Sequence, residues 1–524
     1  MRVTSQSARG ATLEVSVQTE PAILAGSVDR YRGLMSIDPL VSVQTEPAIL
    51  AGSVDRYRGS MSIDPLKGVV MSRLFSIVTA TAVAIAPIAA ESQPAVKPRA
   101  INKLPAIEGF TLGNGLRVAV LTSDAAPVVA VQLWYRAGSK DEPRDRRGSA
   151  HMFEHMMFKG TAHVRAEAHA QFINGVGGYV NAQTDEDATH YINTLPSDYL
   201  DFAIRLEAER MRNLMFRPDM IKVEREVVKE EIRQQENAPI AKGFLRFLSI
   251  AFTTHPYAWT AGGTIKDLDA TTPDDLKKFY DAYYQPNNAL LVVVGKTTTD
   301  AVKASAEKYF GSIAKAADPP RPAAAAQEPA QSARRREVVE PSQIGLALIG
   351  FHVPSAKDKD IYALQVASII LGAGESSRLK QRLKSVDPKT KRPFALDGGM
   401  ETIIREDPGM AIAVGAYLDP SQGDAVEAAL LDEIGKLAAR GPTNDELRKA
   451  KNQVQSGFTF SLENAPGLAT AIGRSWILVG DPTAFLRDID DIEKVSTADV
   501  ARVVKKYMTV DNATIVVIPP KGTK

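Results

Sequence analysis

One constant offset relates two distant stretches of this 524-residue chain, and it constrains the fold more than any other feature. Asp267-Leu268-Asp269 matches Asp491-Ile492-Glu493, and Thr272 matches Ser496 as a helix N-cap. Leu276, Phe279 and Tyr283 match Val500, Val503 and Tyr507. Asn288-Ala289 then matches Asn512-Ala513, and Leu291-Val292-Val293-Val294 matches Ile515-Val516-Val517-Ile518. A capped helix feeding a closing strand therefore occurs twice without a gap, which predicts two homologous domains. Upstream of the first copy, Val118–Leu121 and Val128–Trp134 read as strands, and Asn114-Gly115 as a turn. Between the copies, residues 316–335 are rich in Pro and Ala and read as a semi-rigid linker. The expected layout is one domain over 107–315 and its homologue over 336–524.

The N-terminal region follows a different logic. Residues 15–40 and 41–66 repeat one another and differ only at Leu34 against Ser60. Two nearly unchanged copies do not read as a folding repeat, which drifts and needs three or more units. Met71-Ser72-Arg73, the apolar stretch from Leu74, and the small residues Ala89-Ala90 have the layout of a secretory signal. Residues 1–70 are accordingly expected to be upstream sequence outside the mature protein, 71–90 a signal peptide and 91–106 a lead-in. That layout predicts export, to a periplasm if the cell is bacterial. An uncleaved anchor is the alternative if Met1 is the true start.

Net charge is +1, so nothing argues for nucleic acid or another polyanion as a partner. The run Arg334-Arg335-Arg336 reads as a solvated boundary of the linker. The chain has no cysteine, which excludes disulfides, thiolate metal ligands and a cysteine nucleophile. Any metal must be held by His, Glu and Asp. Gly175-Val176-Gly177-Gly178 and Gly372-Ala373-Gly374 lack the strand, spacing and following acid of a nucleotide loop, so no nucleotide cofactor is expected.

The chemistry is concentrated in His151-Met152-Phe153-Glu154-His155. Histidines four apart on a helix sit one above the other, so both imidazoles can reach one metal ion. Glu154 lies between them, close enough to take a proton from a water on that metal. The order H-x-x-E-H inverts the commoner H-E-x-x-H of zinc hydrolases. Only seven histidines occur in the chain, so chance is a poor explanation, although ordinary buried histidines would be the bland reading. The second domain has no counterpart: its corresponding helix, near Ala363–Leu371, is uncharged. Its job is expected to be enclosing or positioning a substrate.

A hydrolytic site needs a third protein ligand. The charged helix predicted over Pro218–Glu236 offers Glu224 and Glu231 on one face, with Val227 and Val228 between them as an apolar stretch. Glu226, Glu230 and Glu236 read as solvated. Spacing alone does not choose among the glutamates.

The segment Gly148–Thr161 resembles the signature of the pitrilysin clan, which includes insulin-degrading enzyme and mitochondrial processing peptidase. Three other segments resemble that family: Gly177–Thr184 its substrate-binding edge strand, Glu224–Ile232 its third-ligand helix, and Leu371–Leu379 the start of a second-domain helix. The match is nearest to the bacterial and mitochondrial-processing branch. It implies an α+β fold of two homologous domains, each a mainly antiparallel sheet packed with helices. It also implies one zinc ion held by His151, His155 and Glu231, with Glu154 as the base and Glu224 as an accessory acid. Asn181 and Ala182 would pair with an extended peptide by strand addition. The implied activity is zinc-dependent endopeptidase cleavage of extended peptides or small unfolded proteins.

One departure bears on partners. The family completes its site with an arginine, and a tyrosine seven residues later, from a non-catalytic domain. Lys384 and Lys391 stand at those places here. A metal-free homologous partner chain supplying the Arg/Tyr pair is therefore expected. The rival reading is a catalytically weak binding or assembly subunit of a hetero-oligomeric, peptidase-like complex. Such relatives typically lose part of the motif, whereas His151, Glu154, His155 and Glu231 are all present.

Overall fold

The computed structural model describes residues 106–321 and 327–522. The repeated block, the signal-like stretch and the lead-in up to residue 105 lie outside the described residues. No helix among the described residues is long and apolar enough to cross a membrane.

The first half opens with β1 (Glu108–Thr111), β2 (Arg117–Thr122) and β3 (Val128–Tyr135). Helices α1 (Ser149–Met156) and α2 (Ala168–Gly175) lead into the hairpin β4 (Tyr179–Thr184) and β5 (Thr189–Pro196). Then come α3 (Leu200–Arg212), α4 (Pro218–Glu236), α5 (Pro239–Ala251), α6 (Ile265–Ala270) and α7 (Pro273–Tyr283). Strand β6 (Ala289–Gly295) and α8 (Thr299–Phe310) close this half. The second half runs β7 (Arg335–Val338), β8 (Gly345–His352), α9 (Asp360–Gly372), α10 (Arg378–Lys384), β9 (Asp397–Ile403) and β10 (Met410–Tyr417). It continues with α11 (Gly423–Arg440), α12 (Asn444–Ser461), α13 (Ala465–Val479), α14 (Phe485–Lys494) and α15 (Thr497–Tyr507), and ends in β11 (Ala513–Ile518).

The two sheets share one topology. The first has the order β1-β2-β6-β3-β5-β4 and the second β7-β11-β8-β10-β9, so five strands correspond one to one. Each sheet is antiparallel except for one pair, β2 with β6 and β7 with β11. The predicted duplication at α7–β6 and α15–β11 is visible in matching caps. Thr272 and Ser496 each accept a hydrogen bond from the N–H three residues on, and Asp275 and Asp499 answer with capping boxes.

Each half also lends the other a helix. Apolar residues of α13 (Leu468, Ala469, Ile472, Trp476 and Ile477) cover the β2–β6–β3 face of the first sheet. Conversely, α5 from the first half packs Ala241, Phe244, Phe247, Leu248 and Ala251 against β8, β10 and β11. Both helices approach through a glycine, and at Gly473 the rigid Trp134 ring leaves no room for a side chain. A β-carbon at Gly473 would lie 2.1 Å from the Trp134 ring, and one at Gly243 would lie 2.3 Å from Ile518. Burying one such side chain contributes about 1.5–3 kcal/mol, so this exchange is a major bond between the halves.

The linker, in its described residues, is anchored to the body of the protein. Its Arg321 guanidinium donates to the Arg136 carbonyl, Asp141 and Asn288. Glu328 accepts the N–H groups of Thr253, Thr254 and His255, and these bonds hold its carboxyl at about 2 although burial would raise it. The basic run is likewise engaged, not simply solvated. Arg335 donates to the Ile250 and Ala251 carbonyls at the end of α5, and Arg336 pairs with Glu427 and Asp424 on α11.

Candidate metal centre

Helix α1 is only eight residues long and buried throughout, so its start must be satisfied from inside the protein. Gly148 precedes it in the left-handed region at φ 93°. The Glu142 carboxylate accepts the N–H of Gly148 at 2.9 Å and of Ala150 at 2.7 Å. Burial lifts this carboxyl to about 8, against the pull of those two N–H groups. Phe153 stacks on Phe279 and Tyr280 in the core, which turns His151, Glu154 and His155 the other way, towards α4 and β4.

The two imidazoles stand perpendicular, 87° apart in plane, with ring centroids 4.9 Å apart. Helix α4, spanning the residues anticipated from the sequence, brings a carboxylate to them. Glu231 Oε2 is 3.5 Å from His151 Nε2 and 3.7 Å from His155 Nε2. One ligand atom from each of His151, His155 and Glu231 lies within 4.8 Å of the others. Zinc bonds of about 2.0–2.2 Å at tetrahedral angles would separate neighbouring ligand atoms by roughly 3.4 Å, so the gap suits one such ion. Among the described residues the buried Nε2 atoms of both histidines also find no hydrogen-bond partner, which an ion at this point would supply.

Glu224, a helix turn and more away, is buried and lies behind the pair. Its Oε2 is 3.3 Å from His155 Nδ1, and its Oε1 is 3.0 Å from Lys159 Nζ. That is the carboxylate–imidazole arrangement which orients a ligating histidine. Val228 on the same helix is fully buried, but Val227 is 42% exposed, so the apolar stretch expected between the two glutamates is only half formed. Glu226, Glu230 and Glu236 are exposed.

Electrostatics differ between the groups. Burial, helped by His155, pushes His151 down to about 3, so its imidazole is neutral and fit to ligate. Burial would lower His155 too, but the Glu224 hydrogen bond and the charges of Glu231 and Glu154 outweigh it and raise this imidazole. Burial raises Glu154, opposed by bonds from the Thr184 hydroxyl and backbone N–H. Glu224 ends below its ordinary value, because His155 and Lys159 outweigh its burial.

Thr184 ends β4, the outermost strand of the first sheet. Asn181 and Ala182 pair with Ile192 and Tyr191 of β5, and among the described residues the far side of β4 has no strand partner. Ala182 is buried, while Asn181 is half-buried and donates to the Tyr179 hydroxyl. Sequence reasoning overlooked Glu142 and Thr184. Thr184 closed the segment singled out by resemblance, and its place as the last residue of that strand was the available signal. Lys384 ends α10 and pairs with Glu375 at 2.7 Å, and Lys391 sits at φ 58° in the loop behind it.

Residues 117–264 match the family description "Insulinase (Peptidase family M16)", and residues 270–454 match "Peptidase M16 inactive domain". The chain is 32% identical over 424 residues to "Zinc protease PqqE" of Helicobacter pylori, covering 80% of this chain and 94% of that one. It is 27% identical to "Probable mitochondrial-processing peptidase subunit beta, mitochondrial" of Arabidopsis thaliana, over 80% of each chain. Among solved structures, "The crystal structure of a protease from Helicobacter pylori" superposes with a TM-score of 0.74 at 30% identity, over 80% of this chain and all of that one. The segment carrying the two histidines thus matches the description without the word inactive, while the other match begins at residue 270, just before α7, and runs into the second half. With a relative this similar along almost its whole length, the chain belongs to peptidase family M16.

Proposed function

We propose that this chain is a zinc-dependent endopeptidase acting on extended peptides or small unfolded proteins, with one zinc ion held by His151, His155 and Glu231. The observation that carries this reading is the convergence of two buried imidazoles and one carboxylate at spacings suited to a single ion. When bound, zinc would polarise the scissile carbonyl and acidify water at the site.

The chain's own residues supply the rest. Glu154, kept dry and steered by Thr184, takes the proton from water and returns it to the leaving amine. Glu224 orients His155 through Nδ1. The free side of β4, at Asn181 and Ala182, offers main-chain groups to an extended peptide without reading its sequence. Substitution of Glu154 by Gln is expected to abolish cleavage of a quenched peptide library while zinc content stays unchanged; persistent cleavage rejects this base.

A metal-free homologous partner chain is part of the proposal. Lys384 and Lys391 occupy the places of the family's Arg/Tyr pair, and the Arabidopsis relative is itself named a subunit. Full activity of the purified chain alone would remove the partner and leave the peptidase. The basic, then apolar, then small-residue order from Met71 to Ala90 supports export to a periplasm, which N-terminal sequencing of the native protein tests.

A further inference from the structure

His151, His155 and Glu231 all belong to the first half, yet the second half grips the turn that follows the strand beside Glu154. Thr184, whose hydroxyl and N–H pull against burial on the Glu154 carboxyl, is followed at once by the turn Asp185-Glu186-Asp187 into β5. The turn is tied within itself: Asp185 Oδ1 accepts the N–H groups of Asp187 and Ala188 at 2.8 and 2.9 Å. Three successive carboxylates repel one another, and two of them are buried. Their counter-charges come largely from the other half.

The turn joining β9 to β10, residues 404–409, meets this one head on. These are corresponding hairpins of the two halves, since β9–β10 stands in the second sheet where β4–β5 stands in the first. The Arg405 guanidinium pairs with Glu186 and lies 3.9 Å from Asp185 Oδ2. The N–H of Glu406 donates to Asp187 Oδ2 at 3.0 Å. Arg405 is 17% exposed and Glu186 11%, so water screens this pair weakly. Only the Thr184–Asp185 link of chain separates the anchored turn from the residue that acts on Glu154.

We propose that Arg405 is a positioning residue for peptide-bond hydrolysis: through the Asp185–Asp187 turn it fixes Thr184, and through Thr184 the carboxylate of Glu154 and the register of β4. The inference rests on the peptidase reading above. It gives the half without a metal motif a direct part in the reaction, beyond enclosing a substrate. A planar fork spans two carboxylates where an ammonium would reach as a point, which is why arginine suits this place.

The test uses the full chain, in whichever form cleaves peptide, alone or with its partner. Arg405→Gln is expected to lower kcat about 10- to 100-fold, the scale of a small misplacement of a reacting group. Zinc content should remain that of the parent, and Arg405→Lys should recover part of the loss. Thr184→Val should lower kcat as well, and in the double variant the second change should cost less than about threefold, because both act on one element. Additive losses overturn the inference, as does an Arg405→Gln chain within about twofold of the parent kcat. If Arg405→Gln fails to fold, the Arg405→Lys and Thr184→Val pair completes the same cycle. A parent protein that binds zinc but cleaves no peptide rejects the peptidase reading instead.

Discussion

Replacing Lys140 by Met should loosen the union of the two halves more than any exposed charge change. Lys140 is 6% exposed and has three carboxylates around it: Asp187 at 2.8 Å, Glu406 at 2.7 Å and Asp407 at 3.3 Å. Two of the three come from the opposite half, so this lysine binds across the interface. At an effective dielectric of about 20 each contact is worth roughly 5–6 kcal/mol, set against several kcal/mol for desolvating the ammonium. Methionine fills the space but leaves the acids facing one another. Arg136 at 3.1 Å from Glu406, and the Tyr257 hydroxyl at 2.5 Å from Asp187, compensate part of the loss. The expected destabilisation is therefore about 3 kcal/mol, the lower end for breaking a buried ion pair.

The assay is urea unfolding followed by tryptophan fluorescence, reading the midpoint of the first transition, because two halves need not unfold together. A second arm varies pH. Burial would raise the Asp187 carboxyl, but Lys140 and Arg405 outweigh it and hold it at about 2 against 3.8. A folded value below the unfolded one means that the stabilisation is present above pH 3.8 and is lost as pH falls through 2. Lys140→Met should flatten that acid-side dependence. A stability change under about 1 kcal/mol, with an unaltered acid slope, would refute the reasoning that this network joins the halves.

Glu224→Gln should weaken zinc binding by about 10- to 100-fold while leaving the fold intact, measured by competition with a chelator; unchanged affinity would deny it the role of orienting His155. Glu142→Ala strands the buried N–H groups of Gly148 and Ala150, and should cost about 2–4 kcal/mol, read from chemical denaturation. Gly473→Ala forces a methyl into the Trp134 ring and should cost about 1–3 kcal/mol, with a shift in tryptophan emission; a neutral result would mean that α13 can slide on the first sheet.

Much of this architecture is written locally, and so it was legible. The caps at Thr272 and Ser496, the helix Pro218–Glu236, and the strands around Val118–Leu121 and Val128–Trp134 depend on neighbours within a few residues. The H-x-x-E-H spacing likewise places His151 and His155 on one side of a helix before any tertiary contact forms. The glutamates of α4 were not separable in that way. Glu224, Glu226, Glu230 and Glu231 share one helix, and only the docking of α4 beside α1 sets Glu231 against both imidazoles and Glu224 behind one of them.

The chain by itself determined the duplication, the absence of thiolate chemistry and the two-histidine helix, because each is a matter of residue type and short-range period. Tertiary structure alone decided three things. It exchanged α5 and α13 between the sheets, an arrangement invisible to periodicity because a helix's apolar stripe does not say which sheet it will cover. It anchored the Pro/Ala segment at Arg321 and at Glu328, contacts that its composition does not reveal. It also joined the Asp185–Asp187 turn to Arg405, residues far apart in sequence whose charges were only surface-like until burial removed the water between them.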